Sequence, residues 1–129
     1  TAIHAALYRG FPDARACLHV HTVDACLAVA RLPAHATSLA LPALEMLKGL
    51  DVWDEHPQVA LPLFENFHEV SKIAAAIEQR FKADAPQVPA LIVRGHGVTV
   101  WGNSLQQAYN RVEVLEVILS YMARQDKGF

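Results

Sequence analysis

Seven histidines are spread along the 129 residues, and three of them stand where imidazole chemistry could be put to use. His19 and His21 are two apart in the apolar run Ala16-Cys17-Leu18-His19-Val20-His21. Residues two apart on a strand share a face, so the pair offers two imidazoles to one point from a rigid element. The alternative is a pair of core histidines, each needing a hydrogen-bond partner. His96 lies between Gly95 and Gly97, just past the most apolar run in the chain, Ala90-Leu91-Ile92-Val93. Two glycines there imply a sharp turn or a close backbone approach, and such a turn presents one side chain at a strand end. Three histidines with an open fourth position form the donor set of a catalytic zinc rather than a closed structural site.

A metal that polarises a carbonyl needs a partner to move protons on the adjacent carbon. Glu45, in Leu44-Glu45-Met46-Leu47-Lys48-Gly49, is the candidate acid/base. Its plain alternative is an exposed surface glutamate. Asp24 and Asp51 stand behind it, and Asp13 belongs to turn chemistry. The other histidines fit structural or solvated roles. His4 lies on an opening helix, His35 and His56 adjoin loops, and His68 sits in a helix-cap region.

The elements that must position these groups follow from periodicity and punctuation. Ile3, Leu7 and Tyr8 share one side of an opening helix with Gly10 as its stop, and Phe11-Pro12-Asp13 turns the chain. Residues 16–21 are expected to form a buried strand. Thr22 caps the next helix, which runs to Leu32-Pro33. Thr37 to Leu41 is a further strand, and residues 42–49 form a loop with one helical turn. Val59 to Leu63 is a strand that Pro62 pushes toward a sheet edge. Asn66 or His68 opens an amphipathic helix with Val70, Ile73, Ala74, Ile77 and Phe81 at spacings of three and four. Two strands, 90–93 and 98–101, flank the His96 turn. Asn103 or Ser104 then caps a long helix whose inner face holds Ala108, Val112, Leu115, Ile118 and Leu119. Strands alternate with helices, yet the Gly97 connection is hairpin-like. This predicts a three-layer α/β/α domain with a mixed, largely antiparallel central sheet.

Composition narrows the partners. A net charge of −2 and scattered Lys and Arg give no footprint for nucleic acid, although a few cations would suffice for a small anionic substrate. No run is apolar enough to cross a membrane. Cys17 and Cys26 form no metal or redox motif and suit free thiols in a reducing cytoplasm. The length fits one domain, residues 1–129. The chain opens inside a helical pattern without a methionine, which suggests that an N-terminal portion is missing.

Three stretches together resemble the class II aldolase/adducin family: His4-Ala5-Ala6-Leu7-Tyr8-Arg9, Leu18-His19-Val20-His21-Thr22, and Arg94-Gly95-His96-Gly97-Val98 with Val100-Trp101-Gly102. Within it, Leu44 to Gly49 is similar to the corresponding segment of the methylthioribulose-1-phosphate dehydratases. The resemblance implies one Zn2+ per subunit on His19, His21 and His96, with Glu45 as catalytic acid/base. It also implies a phosphorylated sugar substrate, dehydrated in methionine salvage, and a cytoplasmic homotetramer with sites at subunit interfaces. The loops that hold the substrate phosphate in relatives precede the segment matching Thr1. A sugar-phosphate aldolase or pentulose-phosphate 4-epimerase would use the same zinc scaffold. A non-catalytic adducin-like domain would not keep the metal histidines. Val20 stands where Thr is common between the two histidines and should point away from the metal.

Overall fold

The computed structural model describes residues 2–125, and its elements follow the punctuation closely. They are α1 (Ala2–Gly10), β1 (Ala16–Val20), α2 (Val23–Ala30), β2 (Ser38–Ala40), a 3-10 helix (Glu45–Leu50), β3 (Ala60–Phe64), α3 (Val70–Ala83), β4 (Ala90–Val93), β5 (Gly97–Gly102) and α4 (Leu105–Gln125). Five strands make one sheet in the order β1-β5-β4-β3-β2. Every neighbouring pair is antiparallel except β3 with β4.

Alternation along the strands builds two cores, one on each face. Ala90, Ile92, Val98 and Val100 face a core completed by α2, α4 and the 3-10 helix, with Leu47, Leu50, Leu115 and Leu119 among its members. Leu91, Val93 and Trp101 face a second core under α1 and α3, with Ile3, Leu7, Ile73 and Ile77. The domain is therefore α/β/α, with helices covering both faces of a mixed sheet. All five residues expected on the inner face of α4 are buried. Burying a Leu or Ile side chain contributes about 1.5–3 kcal/mol, so this face accounts for much of what holds α4 down.

Helix ends behave as their residues dictate. The Thr22 hydroxyl accepts from the Ala25 amide at the start of α2, and the Ser104 hydroxyl accepts from the Gln107 amide at the start of α4. The third helix begins later than its capping signals suggested: Asn66 and His68 precede it, and Glu69 is its N-cap residue.

Two strands differ from expectation. β1 is an edge strand, so only Ala16 is buried and the rest is half-buried. β3 is not an edge strand despite Pro62; it lies between β4 and β2. The amide of Leu63 points at β2, where it donates to the Thr37 carbonyl. By alternation the Pro62 nitrogen points at β4, whose pairing begins only at Leu63. The missing donor thus falls where no ladder bond is required.

Candidate metal centre

Antiparallel pairing of β1 with β5 and of β5 with β4 makes β1 and β4 run in the same direction, and β3 is parallel to β4. The C-terminal ends of β1, β3 and β4 therefore meet at one edge of the sheet, where ligand sites of open α/β sheets are built. The three histidines converge there. His19 is on β1, His21 follows it directly, and His96 is in the turn between β4 and β5. Leu18 and Val20 pack into the α2/α4 core, so alternation turns His19 and His21 to the α1/α3 side. Val20 points away from the cluster, as expected.

The imidazoles touch one another. Ring centroids are 4.5 Å apart for His19–His21, 4.9 Å for His19–His96 and 5.0 Å for His21–His96. One ring nitrogen from each lies within 4.8 Å of the others, and no Cys, Asp or Glu among the described residues joins the group.

Polar partners set which nitrogen faces the centre. His19 Nδ1 is 2.9 Å from Thr99 Oγ1, on the neighbouring β5, and Thr99 is wholly buried. His19 Nε2 is buried with no hydrogen-bond partner. A buried nitrogen without a partner is costly unless something binds its lone pair. His96 Nδ1 is 3.2 Å from Asn66 Oδ1, an acceptor, so this nitrogen carries the proton and Nε2 is left as the donor. Metal-bound histidines commonly hand their second ring N–H to such an acceptor. Burial, followed by the rings of His21, His96 and His4, holds the His19 imidazole down to about 4, against a smaller opposing pull from a backbone hydrogen bond with Val98. Burial and then His21 also push His96 below its ordinary range. His19 is therefore neutral at pH 7, the form in which an imidazole can bind a metal. This donor set fits zinc, and imidazole accepts neighbouring transition metals as well.

The two glycines have different tasks. Gly95 has φ +65° and turns the hairpin in open space, whereas a Cβ on Gly97 would lie 2.1 Å from the Val20 carbonyl oxygen. Gly97 lets the start of β5 close on the end of β1 and so brings His96 against His21.

Glu45 does not join the histidines. It starts the 3-10 helix, which packs in the α2/α4 layer with Gly49 against Val114, on the other face of the sheet. Its carboxylate is 82% exposed and ion-paired with Lys48, whose ammonium also lies 5.7 Å from the Trp53 ring centroid. Asp24 and Asp51 are engaged elsewhere, with Ser120 and Arg111 respectively. His4, expected from sequence to be structural or solvated, is close enough to help depress His19. Sequence reasoning missed Thr99 and Asn66. A lone polar residue inside the apolar strand Val98-Thr99-Val100 was a usable signal for the first; Asn66 carried none beyond a helix-start propensity.

Known proteins resemble this chain in sequence and in fold. The chain is 52% identical over 122 residues to a methylthioribulose-1-phosphate dehydratase from Microcystis aeruginosa, covering 95% of this chain and 58% of that protein. It is 38% identical over 128 residues to a protein of the same name from Leptospira biflexa, covering 97% of this chain and 61% of that one. Among solved structures, YgbL from Escherichia coli matches with a TM-score of 0.74 at 24% identity, over 99% of this chain and 57% of that one. The L-fuculose-1-phosphate aldolase of Thermus thermophilus matches with a TM-score of 0.68 at 22% identity, over 99% and 62% of the two chains. These two carry the fold alone. The chain spans roughly three-fifths of the length of the curated relatives it matches. The profile of the Class II Aldolase and Adducin N-terminal domain matches residues 1–122, and the chain belongs to that family.

Proposed function

We propose that the protein containing this chain is a zinc-dependent hydro-lyase that converts 5-methylthioribulose 1-phosphate to the 2,3-diketo-5-methylthiopentyl phosphate. The observation that carries this reading is the triad of imidazoles around the unpartnered buried nitrogen of His19. The dehydratases at 52% and 38% identity support the choice of substrate. Zinc held by His19, His21 and His96 would supply Lewis acidity toward the substrate carbonyl.

The chain's own residues account for the rest. Thr99 and Asn66 fix the ring orientations, so the donor nitrogens need no rearrangement when substrate arrives. The proton on C3 must pass to a base while the C4–O bond breaks and the departing hydroxyl gains a proton. The resulting enol then relaxes to the diketone. Glu45 is assigned that proton transfer, a role that contributes about 10²- to 10⁴-fold. Its position across the sheet from the histidines supports an assembly in which one subunit lends Glu45 to its neighbour's site. A homotetramer in the cytoplasm is the form proposed. Among the described residues, no helix is long and apolar enough to cross a membrane.

The test is turnover of methylthioribulose 1-phosphate by the full-length protein, following the diketone, with metal content measured on the same sample. The expected result is turnover with one zinc per subunit. No turnover by protein holding its metal would overturn the substrate assignment in favour of an aldolase or epimerase. Glu45→Gln and His96→Ala proteins should each be inactive, and hybrids formed by co-expressing them should recover activity if Glu45 acts across the interface. Hybrids as dead as the parents would place both groups in one subunit.

A further inference from the structure

Arg94 ties the turn that carries His96 to the helix that follows His21. It precedes Gly95 and His96 in the turn after β4, and its side chain is 23% exposed. Its guanidinium reaches three ways. Nη1 donates to the Val29 carbonyl at 3.3 Å, Nη2 to the Pro33 carbonyl at 3.1 Å, and Nε to Glu65 Oε1 at 3.3 Å. Val29 is in the last turn of α2, the helix that starts two residues after His21, and Pro33 lies just beyond its end. Glu65 follows the last residue of β3 and precedes Asn66, the partner of His96.

The connection is specific to a fork-shaped cation. Two carbonyls at a helix C-terminus carry partial negative charge and point outward, and one planar guanidinium can serve both while its third N–H turns to a carboxylate. The backbone amide of Arg94 adds a further tie, donating to the Phe64 carbonyl at 2.9 Å. One residue thereby joins the His96 turn to the end of α2 and to the strand end bearing Asn66.

We infer that Arg94 is a positioning residue of the metal centre: by pinning the His96 turn to the carbonyl end of α2, it sets the approach of His96 to His19 and His21. The inference rests on the reading of those three histidines as metal ligands. At the other end of α2, the Thr22 hydroxyl donates to Glu116 on α4 at 2.7 Å, so the helix after His21 is held at both ends. The Arg94 end is the one that touches the turn carrying a ligand.

The experiment measures zinc affinity of the full-length protein by competition with a chelator for the native chain, Arg94→Ala, Arg94→Lys and His96→Ala. Visible spectra of the cobalt-loaded proteins and melting of the metal-free proteins are recorded alongside. The expected result is zinc affinity roughly 10- to 100-fold weaker in Arg94→Ala, the range seen when outer-sphere partners of metal ligands are lost. Cobalt bands should be altered, and Arg94→Lys should fall between, since an ammonium reaches only one carbonyl well. Lower melting of the metal-free Arg94 variants with native zinc affinity and native cobalt bands would overturn the proposal and leave Arg94 a staple of the fold. If Arg94→Ala does not fold, Arg94→Lys decides by the same two readouts. If His96→Ala itself keeps native affinity, the ligand assignment has failed and this inference falls with it.

Discussion

The histidine corner and the Glu45 turn are two candidate pieces of one site, and the fold treats them in opposite ways. The histidines are gathered at the ends of β1 and β4, turned by Thr99 on β5 and by Asn66 just past β3, and leave a buried nitrogen without a hydrogen-bond partner. Glu45 sits on a 3-10 helix in the other layer, exposed and paired with a lysine three residues on. One region is preorganised by the single chain; the other waits for something outside it. On the proposed scheme the metal is held by this domain alone, whereas catalysis is a property of an assembly.

The strongest way to break the first half is at Gly97. Its φ of +133° and a Cβ only 2.1 Å from the Val20 carbonyl oxygen mean that Gly97→Ala must force β5 away from β1. We expect a loss of about 3 kcal/mol or more, from backbone strain and overpacking together, with metal binding lost as well. Gly95→Ala meets nothing within 4 Å and carries only the cost of a left-handed alanine, about 1–2 kcal/mol. Urea unfolding of both variants checks this, and equal losses would show that the close approach at Gly97 does not matter.

A subtler probe leaves the backbone alone. Thr99→Val keeps the volume but removes the acceptor for His19 Nδ1, and Asn66→Ala does the same for His96. Each should weaken zinc binding by roughly 10- to 100-fold, with the buried Thr99 at the upper end. Chelator competition would read this. If the exposed Asn66 proved the larger of the two, burial would not be what sets ligand orientation here.

The same contrast explains what could be read from the sequence. The fold was largely legible, because the unbroken apolar run at 90–93, spacing in 70–81 and 108–119, and the caps at Thr22 and Ser104 are local rules with local consequences. The HxH pair and the Gly-His-Gly turn were legible for the same reason. What escaped depends on which strands become neighbours. Thr99 matters because β5 lies beside β1, and Asn66 because β3 ends beside β4; neither adjacency is written in local spacing. Pro62 misled because the edge rule concerns a donor missing from the ladder, and here the nitrogen faces the stretch of β4 where pairing has not begun. Spacing also could not reveal that Glu45 and the histidines fall on opposite faces, since that needs the whole sheet order.

Between the two regions lies the contact of α2 with α4, where Glu116 accepts from Thr22. Burial, only partly offset by the Thr22 hydroxyl, raises the Glu116 carboxyl above its ordinary 4.5, with Asp24 adding to the rise. A carboxyl with a raised folded value binds its proton more tightly in the native state than in the unfolded chain. Its contribution is therefore fully favourable below about pH 4.5 and is lost as pH rises through the raised value. Glu116→Gln, which can still accept from Thr22, should remove that slope. The difference in metal-free stability between variant and native protein should grow in favour of the variant from pH 4 to 7, by less than about 1 kcal/mol given solvent screening. Urea midpoints across that range would show it, and a difference that stays flat or reverses would mean that the Glu116 charge is well solvated.

The smallest expected effect is the most telling for the second region. The Glu45–Lys48 pair is exposed and three residues apart, the kind of ion pair that contributes little. Glu45→Gln should change the stability of the metal-free protein by no more than about 0.5 kcal/mol and leave its zinc affinity unchanged, since no ligand lies in its layer. A glutamate without structural work, on a turn otherwise fixed by buried Leu47 and Leu50, is expendable to the fold. If turnover nonetheless collapses in the same variant, the carboxylate acts on substrate and not through the architecture. A large stability loss would point the other way, to a Glu45 that holds the turn, and the case for it as the acid/base would fail.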